Sequence, residues 1–329
     1  MPSINPAMEN MALGLLKAAG SFLCGFGRER KLSILIYHRV LAEPDFMRPD
    51  EIDVHAFGWQ MDLLARYFNV LPLAEALDRL RHGDLPPRAV CVTFDDGYAD
   101  NATLALPILQ RWNLPATFFI ATGFLDGGRM WNDTVLEAVR VLDSECLDLS
   151  SIGQGVHAVA TLEDKARTGY ELLKRLKHLP TSQRTEYVNH IASLAGNLPD
   201  DLMMSSSQVR AMHAQGMEIG GHTVNHPILA NLSDDEVRKE IGEGKAKLEA
   251  IIEEKIRFFA YPNGKPLKDY KPEQIGIVQE FGFQAAVSTT WGVASNKSDI
   301  WQLPRFTPWD RSPLPFMARL VTNYTKPIT

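Results

Sequence analysis

The sequence predicts an α/β fold built on a largely parallel sheet, and three observations carry that expectation. Short apolar, β-branched runs recur between amphipathic stretches of helical period, an alternation that sets strands side by side with helices covering them. Hydrophobic residues make up 45% and charged residues 22% of the 329 positions, enough for a sizeable core and unlike a disordered or collagen-like chain. Several of the apolar runs also end in His, Asp-Asp or Gly-Gly-His, and parallel α/β folds place their chemistry at the carboxyl ends of strands.

The first element is an amphipathic run over 11–27, followed by Arg28, Arg30 and Lys31. It falls short of the roughly 20 apolar residues a membrane span needs. Lys17 interrupts it, and Glu9 precedes it where a signal peptide carries positive charge. Residues 1–30 therefore read as an N-terminal helical segment packed on the domain, with contact to a membrane surface as the alternative. Strands are expected at 32–37, 89–94, 116–121, 217–221, 258–261 and 285–288, and helices at 57–68, 73–81, 99–112, 207–215 and 233–253. Ser233-Asp234-Asp235-Glu236 opens the longest helix with a capping box. From 126 to 204 no strong strand is visible, and polar helical patterns at 162–179 and 182–194 read as a helical insertion between two core strands.

Thirty-four Lys and Arg against 40 Asp and Glu give a net charge of −6, which argues against a nucleic-acid binder with its basic face. Cys24, Cys91 and Cys146 are an odd set with no close pair, so they read as free thiols rather than a secreted disulfide framework. Cys91 sits in an apolar run as a small buried hydrophobe. The expected location is cytoplasmic, with the inner membrane surface as the alternative. Nothing in the sequence fixes an oligomeric state.

Three motifs carry chemistry. Thr93-Phe94-Asp95-Asp96-Gly97 ends an apolar strand in two adjacent carboxylates; alone it would be a solvated turn, and paired carboxylates are costly unless they share a cation or a proton. Gly220-Gly221-His222-Thr223-Val224-Asn225-His226 follows another strand, and two histidines four apart can converge on one metal. It is not the zincin pattern, because no Glu follows the first His. His222, His226 and one of Asp95 or Asp96 would give three ligands and an open position, the arrangement of a catalytic metal. Finally, Tyr37-His38 ends the first strand on the same face; alone, His38 would be a structural histidine.

Thr-Phe-Asp-Asp-Gly, then Gly-His-Thr-x-x-His, then Phe259-Ala260-Tyr261-Pro262-Asn263-Gly264 resembles the polysaccharide deacetylases, the NodB-homology or carbohydrate esterase family 4 enzymes, over roughly residues 31–308. The resemblance implies a distorted (β/α) barrel with the helical insertion, one domain over 31–329. It also implies removal of N-acetyl groups, sometimes O-acetyl groups, from polymeric or lipid-linked sugars with a divalent metal. On this resemblance Asp95 matches the catalytic base, and Asp96 with His222 and His226 matches the metal site. Zinc is the default, and cobalt, nickel or manganese suit the same nitrogen and oxygen donors.

Two departures from the family pattern follow. The third motif usually begins with an arginine that holds the catalytic aspartate. Ala260 stands there in this chain, so Arg305 in Leu303-Pro304-Arg305-Phe306 is the expected substitute; Asp299 and Asp310 read either as its orienting partners or as surface charges. All nine histidines precede Pro227, so the late Leu-x-x-His that supplies the general acid in many relatives is absent. Tyr37-His38 resembles the first-strand alternative of exopolysaccharide deacetylases, which assigns the acid to His38.

By the register of the third motif, the Asn263 N–H would be an oxyanion donor. Asn263-Gly264 reads equally well as a plain turn. Tyr261 and Trp131 are the candidate substrate contacts, and Trp291 and Trp309 lie in expected loops where rings could stack on sugars or be partly buried. The expected activity is N-deacetylation of a polysaccharide, oligosaccharide or lipid-linked sugar, with the acetylated glycan as partner. A metal-dependent amidase on a small non-sugar C–N substrate and a catalytically inactive glycan-binding barrel are the competing readings.

Overall fold

The computed structural model describes residues 6–326; residues 1–5 of the expected N-terminal helical segment and 327–329 at the end of the barrel region lie outside the described residues. Seven parallel strands run in the order Leu32–Tyr37, Ala89–Phe94, Thr117–Ile120, Glu218–Gly221, Phe258–Ala260, Ala285–Trp291 and Leu303–Arg305. The sheet closes on itself just past its last strand. The Phe306 amide donates to the Ile34 carbonyl at 2.7 Å, and the Phe306 carbonyl accepts from the Ile36 amide at 2.9 Å. The result is a distorted (β/α) barrel.

The distortion has a visible source. The two-residue strand Asn69–Val70 pairs with the start of Ala89–Phe94, while Thr117–Ile120 pairs only with Thr93 and Phe94 at its end. The first two long strands are buried at every position, as expected of parallel strands covered on both faces. Aromatic rings fill the barrel and its wall: Phe94 stacks on Phe118 at 4.7 Å and 13°, and Tyr37 stacks on Phe94 at 5.4 Å. Gly220 is needed for this packing, because a Cβ there would meet the Phe119 ring at 2.4 Å.

Expected elements recur with shifted ends. The capping box of Ser233 and Glu236 forms at the head of the helix Asp234–Ile252. The 99–112 helix opens with a π turn over 101–105 before the α-helical Leu106–Arg111. The last barrel strand, Leu303–Arg305, was not anticipated; it has three residues and contains a proline. The insertion is also not wholly helical. Beside the helices Trp131–Val141, Leu162–Leu176 and Thr181–Ser193 it holds an antiparallel hairpin, Cys146–Leu149 with Gly155–Ala158. In the hairpin exposed and buried residues alternate, so it shows half the apolar signal of a core strand.

The insertion has its own cluster of buried residues, including Leu136, Leu147, Leu172 and Val188. An ion-pair network ties it to the barrel rim. Arg48 bonds Asp133 and Glu137, each at 2.7 Å, Arg39 bonds Asp100 at 2.7 Å, and the Tyr98 hydroxyl donates to Asp133 at 2.9 Å.

The N-terminal helix Pro6–Leu23 packs on the helix Pro313–Asn323. It leaves Met8, Met11, Leu15 and Phe22 exposed. Among the described residues no helix is long and apolar enough to cross a membrane. Cys24 and Cys91 are buried and Cys146 is exposed, all three as free thiols.

Candidate metal centre and active site

Strand ends bring the three motifs to one face. Asp95 and Asp96 follow Phe94, His222 follows Gly221, His38 follows Tyr37, and Arg305 closes the last strand. The Asp95 amide donates to the Tyr37 carbonyl at 2.9 Å and the His222 amide to the Ile120 carbonyl at 3.2 Å, so each motif is pinned to a neighbouring strand. Four non-glycine residues here, Asp96, Thr223, His226 and Asn263, have φ between 52° and 76°. Such conformations cost of order 1–3 kcal/mol each and persist where surrounding structure holds them. Glu240 does that for the histidine loop, accepting from the Val224 and Asn225 amides at 2.9 and 2.8 Å. Gly244 lets its helix approach, since a Cβ there would meet the Thr223 backbone at 3.0 Å.

Asp96, His222 and His226 converge. Each Nε2 lies 3.4 Å from the same oxygen, Asp96 Oδ1, and the three ligand atoms lie within 4.8 Å of one another. Ligand atoms about 2.0–2.1 Å from a tetrahedral ion stand about 3.3–3.4 Å apart. Asp96 Oδ1 is buried and has no hydrogen-bond partner, an arrangement that native interiors avoid unless an ion or similar group completes it. His222 Nδ1 is 2.7 Å from the Ala260 carbonyl; donation there leaves the Nε2 lone pair facing Asp96, as in metal-binding histidines. The donor set therefore fits a divalent ion, and the residues that would hold it are Asp96, His222 and His226.

The groups shift one another: against its burial, Asp96 and Asp95 raise the His222 imidazole. Burial works to raise the Asp96 carboxyl, but the imidazoles of His226 and His222 outweigh it and hold the group well below the usual carboxylate range. Burial pushes His226 down to about 4, partly opposed by Asp96.

Asp95 is built differently. It is 2% exposed, and Arg305, 1% exposed, clamps both of its oxygens, Nη1 to Oδ1 at 2.7 Å and Nη2 to Oδ2 at 2.6 Å. Arg305 is held in turn by the Ser288 carbonyl at 2.8 Å from Nε and by Thr93 Oγ1 at 3.3 Å. Burial would raise the Asp95 carboxyl, and the Arg305 charge overrides it and keeps the group ionised. The structure thus brings Arg305 to the carboxylate the sequence paired it with. Of the two readings of Asp299 and Asp310, orienting Arg305 is not the one seen: Asp310 pairs with Arg319 at 2.8 Å, and Asp299 caps the turn at Trp301 and Gln302. Ser288 and Thr93 take that place. No motif marks them, because one acts through a backbone carbonyl and the other through an ordinary strand threonine.

His38 is part-exposed beside this pair. Its backbone is anchored by Asn101, whose Nδ2 donates to the His38 carbonyl at 2.9 Å. Asn263 and Trp131 line a cavity of about 410 Å³ with Asp96 and His226. Tyr261 does not. Its side chain is fully buried, stacked on Tyr270 at 3.8 Å, with its hydroxyl unpartnered, so the expected substrate contact is instead a core residue. Being adjacent to a strand end, it points inward while Asn263, two residues on, reaches the cavity. Trp291 and Trp309 pack on each other at 4.7 Å, outside that cavity.

Comparison with known proteins gives the family. The family model described as Polysaccharide deacetylase matches residues 82–147 and 155–286, more than half of the chain. YxkH of Bacillus subtilis (strain 168) is 21% identical over 276 residues, covering 84% of this chain and 70% of that protein. The Streptococcus pyogenes deacetylase PplD in complex with acetate superimposes with a TM-score of 0.60 at 19% identity, over 88% of this chain and 98% of that one. IcaB from Ammonifex degensii does so with a TM-score of 0.56 at 22% identity, over 88% and 97%. With a family model that matches more than half of the chain and includes Asp95, Asp96, His222, His226 and Asn263, the chain belongs to the polysaccharide deacetylase family.

Proposed function

We propose that this protein hydrolyses the N-acetyl group of a sugar within a polysaccharide, oligosaccharide or lipid-linked glycan, with one divalent metal held by Asp96, His222 and His226. The observation that supports it most is the pairing of a buried, unpartnered Asp96 oxygen with a clamped, ionised Asp95 one residue away. When bound, the ion supplies Lewis-acid polarisation of the acetyl carbonyl and acidifies water. Zinc is the first choice for this donor set, and cobalt, nickel or manganese would serve it too.

The protein's own groups cover the remaining steps. Asp95 accepts a proton from the attacking water as the carbon–oxygen bond forms. Arg305 holds that carboxylate in one orientation and in its charged form. The Asn263 amide donates to the carbonyl oxygen as negative charge develops there. His38 gives a proton to the departing amine as the carbon–nitrogen bond breaks, so that acetate and a free amino sugar leave. Trp131 offers a ring to the sugar at the cavity wall.

The deciding experiment is acetate release from a panel of N-acetylated glycans, before and after chelation and with metal restored. Release that disappears with chelator and returns with metal is expected. A metal-loaded protein that releases acetate from none of them would overturn the proposal in favour of a non-sugar amidase or a binding-only barrel.

A further inference from the structure

The cavity that opens on Asp96, His226 and Asn263 has a wall supplied by the insertion, and its charged residues are Lys174, Lys177 and Arg184. Asp96 is the one carboxylate among the residues that line it, so a neutral sugar would face three cations. Arg184 stands out. It is 8% exposed, and its contacts are a 3.4 Å hydrogen bond to the Lys177 carbonyl and the Trp131 ring, 5.0 Å from its guanidinium carbon. Among the described residues it has no ion pair, and burial alone pushes its guanidinium down. A second cavity of about 680 Å³ shares Trp131, Arg184 and Ile228 with the first. Of its three glutamates, Glu240 is engaged with the histidine-loop amides and Glu236 with the Ser233 cap, and Glu243 makes no ion pair with Arg184 among the described residues. A buried guanidinium without a counter-charge is unfavourable. Its planar fork suits a phosphate or carboxylate.

Building on the deacetylase reading, we propose that the substrate carries an anionic group, a phosphate or a sugar carboxylate, beside the acetamido group, and that Arg184 receives it with Lys174 and Lys177 in support. The insertion then sets specificity while the barrel performs the chemistry.

The test uses the metal-loaded full chain and three probes: N-acetylglucosamine, N-acetylglucosamine 1-phosphate and N-acetylmuramic acid, whose lactyl group bears a carboxylate. Binding is read by tryptophan fluorescence or calorimetry. At least one acidic sugar should bind about tenfold tighter than the neutral one, the gain of a charge-assisted hydrogen bond, and the tighter of the two identifies the anion. Arg184→Gln should bring the ratio close to one, and Arg184→Lys should keep part of it. The melting temperature of ligand-free Arg184→Gln should not fall, because the residue removed is an uncompensated charge; a fall would mark a structural role. Lys174 is exposed, and Lys174→Gln should lower the ratio about twofold and reduce its salt dependence. Equal or undetectable binding of the three sugars by the unmodified protein, or an unchanged ratio in Arg184→Gln, overturns the proposal. If the ratio and its loss are found but no glycan yields acetate, the deacetylase reading fails and the anion site stands. Acetate release with equal kcat/KM on neutral and acidic sugars has the opposite meaning.

Discussion

Asp95 and Asp96 are neighbours on one strand end, and their surroundings are opposite in kind. Asp95 has both oxygens filled by Arg305, which is itself held by Ser288 and Thr93. Asp96 has a buried oxygen with no hydrogen-bond partner, facing two imidazole nitrogens. A saturated carboxylate keeps its charge and its position; an unsaturated one has ligand capacity to spare. Successive residues after a strand end point in different directions, so one Asp-Asp pair can serve both purposes. Asp96 takes its place with a φ of 76°.

The sharpest way to break this contrast is Asp96→Asn. It should remove the bound metal and, with it, several kcal/mol of charge stabilisation, lowering turnover by roughly a thousandfold or more. Metal content by mass spectrometry, alongside acetate release, checks both. Asp95→Asn should keep the metal and lower kcat by about 10²–10⁴-fold, the range for losing a general base. Equal metal loss in both variants would erase the distinction drawn here. His38→Ala should also retain metal, with kcat down by about 10²–10³-fold; unchanged kcat would move the general acid to another group.

Arg305→Gln acts on the saturated side alone. Removing one partner of a buried ion pair costs about 3–5 kcal/mol of stability, which urea unfolding would register. The pH profile gives an independent sign. With Arg305 present Asp95 lies below the usual carboxylate range, so the base form is available at all pH values above it. Without Arg305 burial acts with less opposition, the carboxyl rises, and the acid limb of kcat/KM should move to higher pH. A limb that stays put would detach Arg305 from the base.

How far the sequence revealed this site depends on how each contact is made. Asp96, His222 and His226 were legible because metal ligands are few residue types at characteristic spacings, and the strands before them are unbroken apolar runs. Arg305 was legible only by elimination, from the missing arginine at Ala260, since its three-residue strand carries a proline and too little pattern to read. Tyr261 was misplaced because a motif gives order along the chain and not the direction of each side chain. The hairpin 146–158 was hidden by its alternating exposure. The Arg48–Asp133–Glu137 network that fixes the insertion against the barrel joins residues more than eighty positions apart, and no local pattern encodes such pairs. The cationic wall at Arg184 was invisible for the same reason: one arginine in a polar helix reads as a solvated residue until the fold buries it.

The smallest expected effect probes what supports the clamp. Thr93 Oγ1 donates to the Leu35 carbonyl at 2.6 Å and accepts from Arg305 Nη1 at 3.3 Å. Valine preserves its shape and removes both bonds. The first bond is short and buried; the second is long, and Arg305 keeps its two contacts to Asp95 and one to Ser288 without it. Thr93→Val should therefore lose about 1 kcal/mol of stability, as for one ordinary hydrogen bond, with unchanged metal content and kcat within about threefold, about 0.7 kcal/mol of barrier. Thr93→Ser should restore most of the stability. A drop in kcat as large as that of Arg305→Gln would mean that the threonine, and not the Ser288 carbonyl, sets the angle at which Arg305 presents Asp95 to water.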